Sequence, residues 1–171
     1  MHIRPATPAD LKGALAVYKS ARAFMCKSGN PNQWGDSFPP RELVEQDIST
    51  GALRVCVDEN DEVLGCFAFL SGPEPDYAHI FEGSWPNDEP YDMVHRFAVL
   101  RQGRGVGGTM LDWALEHGRN LRVDTHRDNK PMQGLLDSRG FSYCGIIRIG
   151  RNGDERLAYA CCAPKAREVP E

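Results

Sequence analysis

The run Val99-Leu100-Arg101-Gln102-Gly103-Arg104-Gly105-Val106-Gly107-Gly108-Thr109 restricts the fold more than any other part of this chain. Residues 91–99 before it read as a strand. Met110, Leu111, Ala114 and Leu115 after it recur at helical spacing, so a helix is expected over 109–117. Four glycines in six positions therefore join a strand to a helix. The first N–H groups of a helix have no internal partners, and the helix dipole is positive there. Glycines let an anion come close to the backbone, so the turn is a candidate phosphate cradle. The plain alternative is a tight turn without a ligand, which does not call for four glycines.

The rest of the chain supplies alternating strands and helices. Residues 2–6 read as a first strand. Thr7-Pro8-Ala9-Asp10 opens a helix that Leu11, Ala14, Leu15, Val17 and Tyr18 carry to about Met25. Residues 27–40 form a loop with Gln33, Trp34, Asp36 and Phe38, and a second helix runs from Pro40 to Gly51. Strands follow at 53–57 and 63–70, joined by the turn residues 58–61. Residues 71–90 hold four prolines and two glycines and read as a long loop with a short strand at 77–81. After the glycine turn come a strand at 121–125, a helix at 129–139, and a hairpin at 141–149 and 156–162 around Asn152-Gly153. The order gives an α+β fold, a mixed α/β sheet with helices on both faces.

Three ligands compete for the glycine turn. A nucleoside triphosphate loop fits the Gly103 to Gly108 spacing, but Thr109 follows directly and the lysine is missing. A dinucleotide fingerprint matches Gly103, Gly105 and Gly108, with Asp124 placed 21 residues after Gly103 as a ribose-binding acid. Against that oxidoreductase reading, Arg101 and Gln102 separate the strand from the first glycine. The 47 residues after Asp124 also give one helix and a hairpin, not further β-α-β units. The third pattern is Gln/Arg-x-x-Gly-x-Gly/Ala, here Gln102-Gly103-Arg104-Gly105-Val106-Gly107. With Phe97-Ala98-Val99 upstream and Asn129 eleven places before Gly140-Phe141, it resembles the GNAT superfamily of acyl-CoA-dependent N-acyltransferases. The element order is similar to that family's from about residue 2 to residue 162.

The resemblance implies a twisted sheet of six to seven strands whose fourth and fifth strands splay apart. It implies one acyltransferase domain over residues 1–163, followed by a polar tail over 164–171. Acetyl-CoA is then the acyl donor. Its arm would lie along the backbone of Phe97, Ala98 and Val99, and its pyrophosphate on the N–H groups from Gln102 through Gly103, Arg104, Gly105, Val106 and Gly107 to Gly108 and Thr109. Asn129 and Met132 would contact the arm. The reaction implied is direct attack of a small or amino-acid-like amine on the thioester in a ternary complex.

An alkyl ammonium has a pKa of about 10, so a base is needed at neutral pH. His95 is the candidate, because residues 93, 95, 97 and 99 share one face of a regular strand and His95 would point toward the thioester. Asp92 is the alternative. Many family members carry a tyrosine four residues before the Gly-Phe pair as the acid, and here that position is Leu136. Tyr143, Cys144 and Tyr159 of the final hairpin, or water, are the candidates to replace it. Trp34, Asp124 and His126 are candidate acceptor-site residues. Packing of Trp34 onto the core and loop capping by Asp124 are the structural alternatives. The absent tyrosine also motivates a second function, a non-catalytic acyl-CoA sensor.

Composition removes other classes. Net charge is −4 with interspersed signs, unlike the basic footprint of a nucleic-acid binder. The longest apolar runs are too short to cross a bilayer, so no membrane partner is expected. The first 20 residues show no secretory signal, which points to the cytoplasm. Six cysteines without a C-x-x-C pair read as mostly small buried hydrophobes, and five histidines without paired spacing suggest no metal. The acidic 71–90 loop is expected either to cover the acceptor or to form a homodimer contact.

Overall fold

The computed structural model describes residues 1–162, so the polar tail expected over 164–171 lies outside the described residues. Seven strands form one mixed sheet: β1 (His2–Pro5), β2 (Leu53–Val57), β3 (Val63–Ser71), β4 (Asp92–Val99), β5 (Leu121–Thr125), β6 (Ser142–Arg148) and β7 (Glu155–Cys161), in the order β1-β2-β3-β4-β5-β7-β6. Every neighbouring pair is antiparallel except β4 and β5. Helices α1 (Leu11–Lys27) and α2 (Arg41–Ser49) cover one face. Helices α3 (Val106–His117) and α4 (Lys130–Ser138) cover the other.

Periodicity explains the helices. In α1, Ala14, Val17, Tyr18, Ala21 and Met25 form one buried stripe against Leu53, Val55 and Cys66. In α3, Val106, Met110, Leu111 and Ala114 pack on the opposite face against Phe67 and Val99. The helix begins at Val106, three residues earlier than periodicity suggests, because Val106-Gly107-Gly108 has poor helix propensity and little apolar signal.

One local defect shapes the sheet. Cys66 pairs with Ala98 and Ala68 with His95, so Arg96 and Phe97 together stand opposite Phe67. This is a β-bulge, with Arg96 at φ +52°. Asp47 of α2 holds the bulge by a two-pronged ion pair, accepting from Arg96 Nε at 2.7 Å and Nη2 at 2.9 Å. From α1, the Tyr18 hydroxyl donates to the Arg96 carbonyl at 3.0 Å and the Ser20 hydroxyl donates to the Leu100 carbonyl at 2.8 Å. Among the described residues, β4 and β5 pair only at Met93 and Arg122, and the strands part beyond that point.

The bulge corrects the strand-parity expectation. The extra residue turns Phe97 and Val99 to the α3 face, whereas His95 stays on the face of Met93 and Ala98. The short strand expected at 77–81 is also absent. A 3-10 turn spans Pro75–Tyr77, and Phe81 makes a single bridge to Ile146. Of the six cysteines, all free thiols, only Cys56 and Cys66 are buried; Cys26 and Cys162 are exposed. No described helix is long and apolar enough to cross a membrane.

Asp47→Ala leaves the largely buried Arg96 guanidinium without its carboxylate. It should lower stability by about 2–3 kcal/mol in denaturant melts.

Candidate active site

Two cavities open where β4 and β5 separate. The first, about 250 Å³, lies between the glycine turn, α1 and the start of α4. The second, about 270 Å³, lies on the α1/α2 face of the sheet, over β4, β5 and β7. Phe97, Asn129 and Met132 line both, so the cavities meet in the gap between the strands.

The first cavity is an anion cradle opening into an apolar groove. Gly103 and Gly105 both sit at φ +73°, in the left-handed region that favours glycine. A Cβ at either would meet no neighbour within 4 Å, so the side facing the groove is open. The N–H groups from Arg101 to Gly108 have no partner among the described residues, and those of Val106, Gly107 and Gly108 form the first turn of α3. Phe97, Ala98, Val99, Gln102, Gly103, Arg104, Gly105, Val106, Gly107 and Gly108 all line the cavity. Thr109 does not: its N–H and hydroxyl both donate to the Gly105 carbonyl, at 3.0 and 3.1 Å. Met132 and Leu135 of α4 add an apolar wall, while Leu136 is fully buried in the core.

The second cavity holds the titratable groups. The Tyr77 hydroxyl donates to Asp124 Oδ1 at 2.7 Å and lies 3.0 Å from His95 Nε2. A phenol has one proton to give, so Tyr77 must accept from His95. This assigns the Nε2–H tautomer to His95 and leaves Nδ1 as the acceptor. His95 Nε2 and Asp124 Oδ1 are 3.8 Å apart, so Tyr77 bridges them. Tyr77 is held by Trp85, whose indole N–H donates to the Tyr77 carbonyl at 2.9 Å, and by the ring of Tyr91. Burial, reinforced by Asp124, pushes the Tyr77 phenol well above its ordinary pKa, so it stays protonated. The 71–90 segment thus folds over the β4/β5 face and places a phenol between two site residues. The sequence reading missed Tyr77, because nothing local tells a tyrosine in a proline-rich loop that it lies against two strands.

Asn129 caps α4, accepting from the Met132 N–H at 3.2 Å, and donates to Gln33 Oε1 at 2.9 Å. Gln33 Oε1 also accepts from Asn30 at 2.7 Å, which ties the 28–40 loop to α4. Gln33 and Phe38 line the second cavity, and Trp34 does not. Its indole packs edge-on against Tyr18 at 5.8 Å in the core, so its role is structural. Asp124 lines the cavity, but His126 does not. His126 Nδ1 accepts from the Asp128 N–H at 3.1 Å, closing a turn after β5. Burial, and behind it the Arg156 charge, lowers the pKa of His126.

The proposed acids are not brought to the site. The Tyr143 ring is exposed against Tyr159 on the edge strand β6, and the Cys144 thiol bonds its own strand at Ser142 O, 3.3 Å away. Burial also raises the Cys144 pKa. Neither lines either cavity. Asp92 is likewise engaged elsewhere, accepting from Ser71 at 2.7 Å and from the Arg119 N–H at 2.9 Å.

The one parallel pair of this mixed sheet, β4 and β5, is thus parted, with the glycine turn on one side of the gap and His95 on the other. Comparison with known proteins defines the class. The model of the Acetyltransferase (GNAT) family matches residues 16–141. The chain belongs to that family. It is similar over 96% of its length to 96% of a GNAT-family acetyltransferase structure from Streptococcus agalactiae 2603, at 33% identity and a TM-score of 0.87. A GNAT-family acetyltransferase from Listeria monocytogenes 4b F2365 shares the fold at 19% identity, 94% coverage of both chains and a TM-score of 0.68. So does the ribosomal-protein-alanine N-acetyltransferase from Brucella melitensis, at 22% identity, 95% and 99% coverage and a TM-score of 0.64. No curated protein sequence matches the chain.

Isotope-labelled His95 should show the Nε2–H tautomer by nitrogen NMR when the ring is neutral. In Tyr77→Phe the acceptor is gone, and the signal should move toward a mixture of tautomers.

Proposed function

We propose that this protein is an N-acetyltransferase that moves an acetyl group from acetyl-CoA to the amine of a small acceptor, by direct attack while both are bound. The observation that carries the proposal is the meeting of the two cavities at Phe97, Asn129 and Met132. A donor entering from the cradle and an acceptor entering from the His95 side reach each other in the gap between β4 and β5.

The residues present fit such a donor. The free N–H groups of the 101–108 turn suit a pyrophosphate, and Arg104 beside them adds positive charge. The unpaired edge of β4 offers backbone groups to an amide-bearing arm, as a sheet edge does to an added strand. Phe97, Met132 and Leu135 exclude water around it. Acetyl-CoA supplies a thioester carbonyl that is open to attack by a neutral amine.

His95 takes the proton that makes the amine neutral. Its Nδ1 is the acceptor, and the Tyr77 bridge to Asp124 fixes the ring and stabilises the imidazolium that forms. Tyr77 and Asp124 are positioning residues in this scheme. Leu136 has no proton to give a departing thiolate, but a thiol of ordinary pKa, about 8.5, leaves without strong assistance. The sensor reading rests on Leu136 alone. It would be preferred if acetyl-CoA bound tightly and no amine were acetylated. Six free cysteines also suit a reducing compartment such as the cytoplasm.

Two variants separate donor binding from chemistry. Gly105→Asp brings a carboxylate to the cradle and should weaken acetyl-CoA binding by about 100-fold or more in calorimetric titration. Unchanged affinity would overturn the cradle assignment. His95→Ala should lower kcat by about 10²–10⁴-fold with acetyl-CoA affinity retained. A wild-type kcat would remove His95 from the mechanism.

A further inference from the structure

The second cavity holds a buried cation that no side chain bonds directly. Arg96 is satisfied by Asp47. Arg156, projecting from β7, is not. It is only 3% exposed, yet its guanidinium donates only to two neutral carbonyls, Gln33 O at 3.2 Å and Glu155 O at 3.1 Å. Its nearest carboxylate, Asp154, is 3.8 Å away and is engaged by Asn152 at 2.6 Å within the hairpin turn. A buried guanidinium normally has a close carboxylate, because desolvation of an unpaired charge costs several kcal/mol. Burial correspondingly lowers the Arg156 pKa, although arginine stays charged.

A second cation points the same way. Arg151 lines the cavity with its guanidinium 4.1 Å over the Phe38 ring, and it has no ion pair among the described residues. Thr125, 1% exposed, lines the cavity too, and its hydroxyl has no partner. Glu74, Asp76 and Asp124 also line the cavity and supply negative charge. One cavity therefore holds carboxylates that suit an ammonium and a buried guanidinium with no carboxylate within hydrogen-bond distance.

We infer that the acceptor is an amine that also carries a carboxylate, an amino acid or close analogue, and that Arg156 reads the carboxylate. This rests on the acceptor-site reading above and deepens it. The guanidinium fork matches a carboxylate through two parallel N–H···O bonds, a contact that a lysine cannot reproduce. Holding the carboxylate on β7 orients the amine across the cavity toward His95 on β4. A volume of about 270 Å³ is at the small end of ligand cavities, which suits a single residue.

The test measures CoA release with acetyl-CoA and matched acceptors: free α-amino acids, their methyl esters, and the corresponding decarboxylated amines. The expected result is that kcat/KM for an acid exceeds that for its ester and amine by about 10–100-fold. Arg156→Gln should collapse this ratio, with the loss carried by KM for the acid, and Arg156→Lys should restore part of it. Thermal melts and acetyl-CoA titration confirm that each variant is folded. If Arg156→Gln does not fold, the wild-type selectivity and the lysine variant decide. Equal use of acid, ester and amine by the wild type overturns the inference. So does an acid preference that survives in Arg156→Gln. Those results leave N-acetylation itself standing. If acetyl-CoA binds and no acceptor of any class is acetylated, the proposed function falls and the inference falls with it.

Discussion

The ion pair between Asp47 and Arg96 is the contact on which the rest of the structure depends. It fixes an extra residue in β4 at the point where the strand must leave its parallel neighbour. A sheet gains stability from each ladder bond, so two adjacent strands stay together unless something holds them apart. Here α2 grips the bulge through Asp47, and α1 grips the carbonyls of Arg96 and Leu100 through Tyr18 and Ser20. The parting of β4 from β5 is thus a consequence of packing on one face. Both cavities are consequences of the parting.

The two halves of the site are built from different materials. The cradle is made of backbone N–H groups at a helix start, and its recognition needs glycine geometry more than particular side chains. The acceptor side is made of side chains drawn from distant parts of the chain: Gln33 and Phe38 from one loop, His95 and Asp124 from two strands, and Arg156 from a third. A donor common to a family and an acceptor particular to one member would be served by this division. Substitution at the side-chain half changes what is bound without disturbing the backbone half.

Tyr77 shows how a loop can enter such a site without being mobile. Its ring belongs to a small core with Met93, Ile147 and Ala158, under Trp85 and Tyr91. The hydroxyl alone reaches the polar groups. Packing of the ring sets the hydrogen-bond geometry at His95, and so decides which imidazole nitrogen carries the proton when the ring is neutral.

The glycine turn, its strand and its helix were legible in the sequence because their signals are local. Glycine spacing fixes backbone torsions, and apolar spacing fixes which side of a helix is buried. The mixed α+β sheet follows from that, while the residues Phe97–Val99 and Gln102–Gly108 that line the first cavity were named through the family resemblance of the turn. The orientation of His95 relative to Phe97 was not legible, since one bulge reverses strand parity and its cause is Asp47, 49 residues away. Nor could the sequence separate Trp34 in the core from Phe38 in the cavity, place Tyr77 between His95 and Asp124, or exclude Tyr143 and Cys144 on the edge strand. The sequence determined what each segment prefers within a few residues of itself. Only the tertiary structure decided which polar groups meet, because burial and pairing are set by chains distant in sequence.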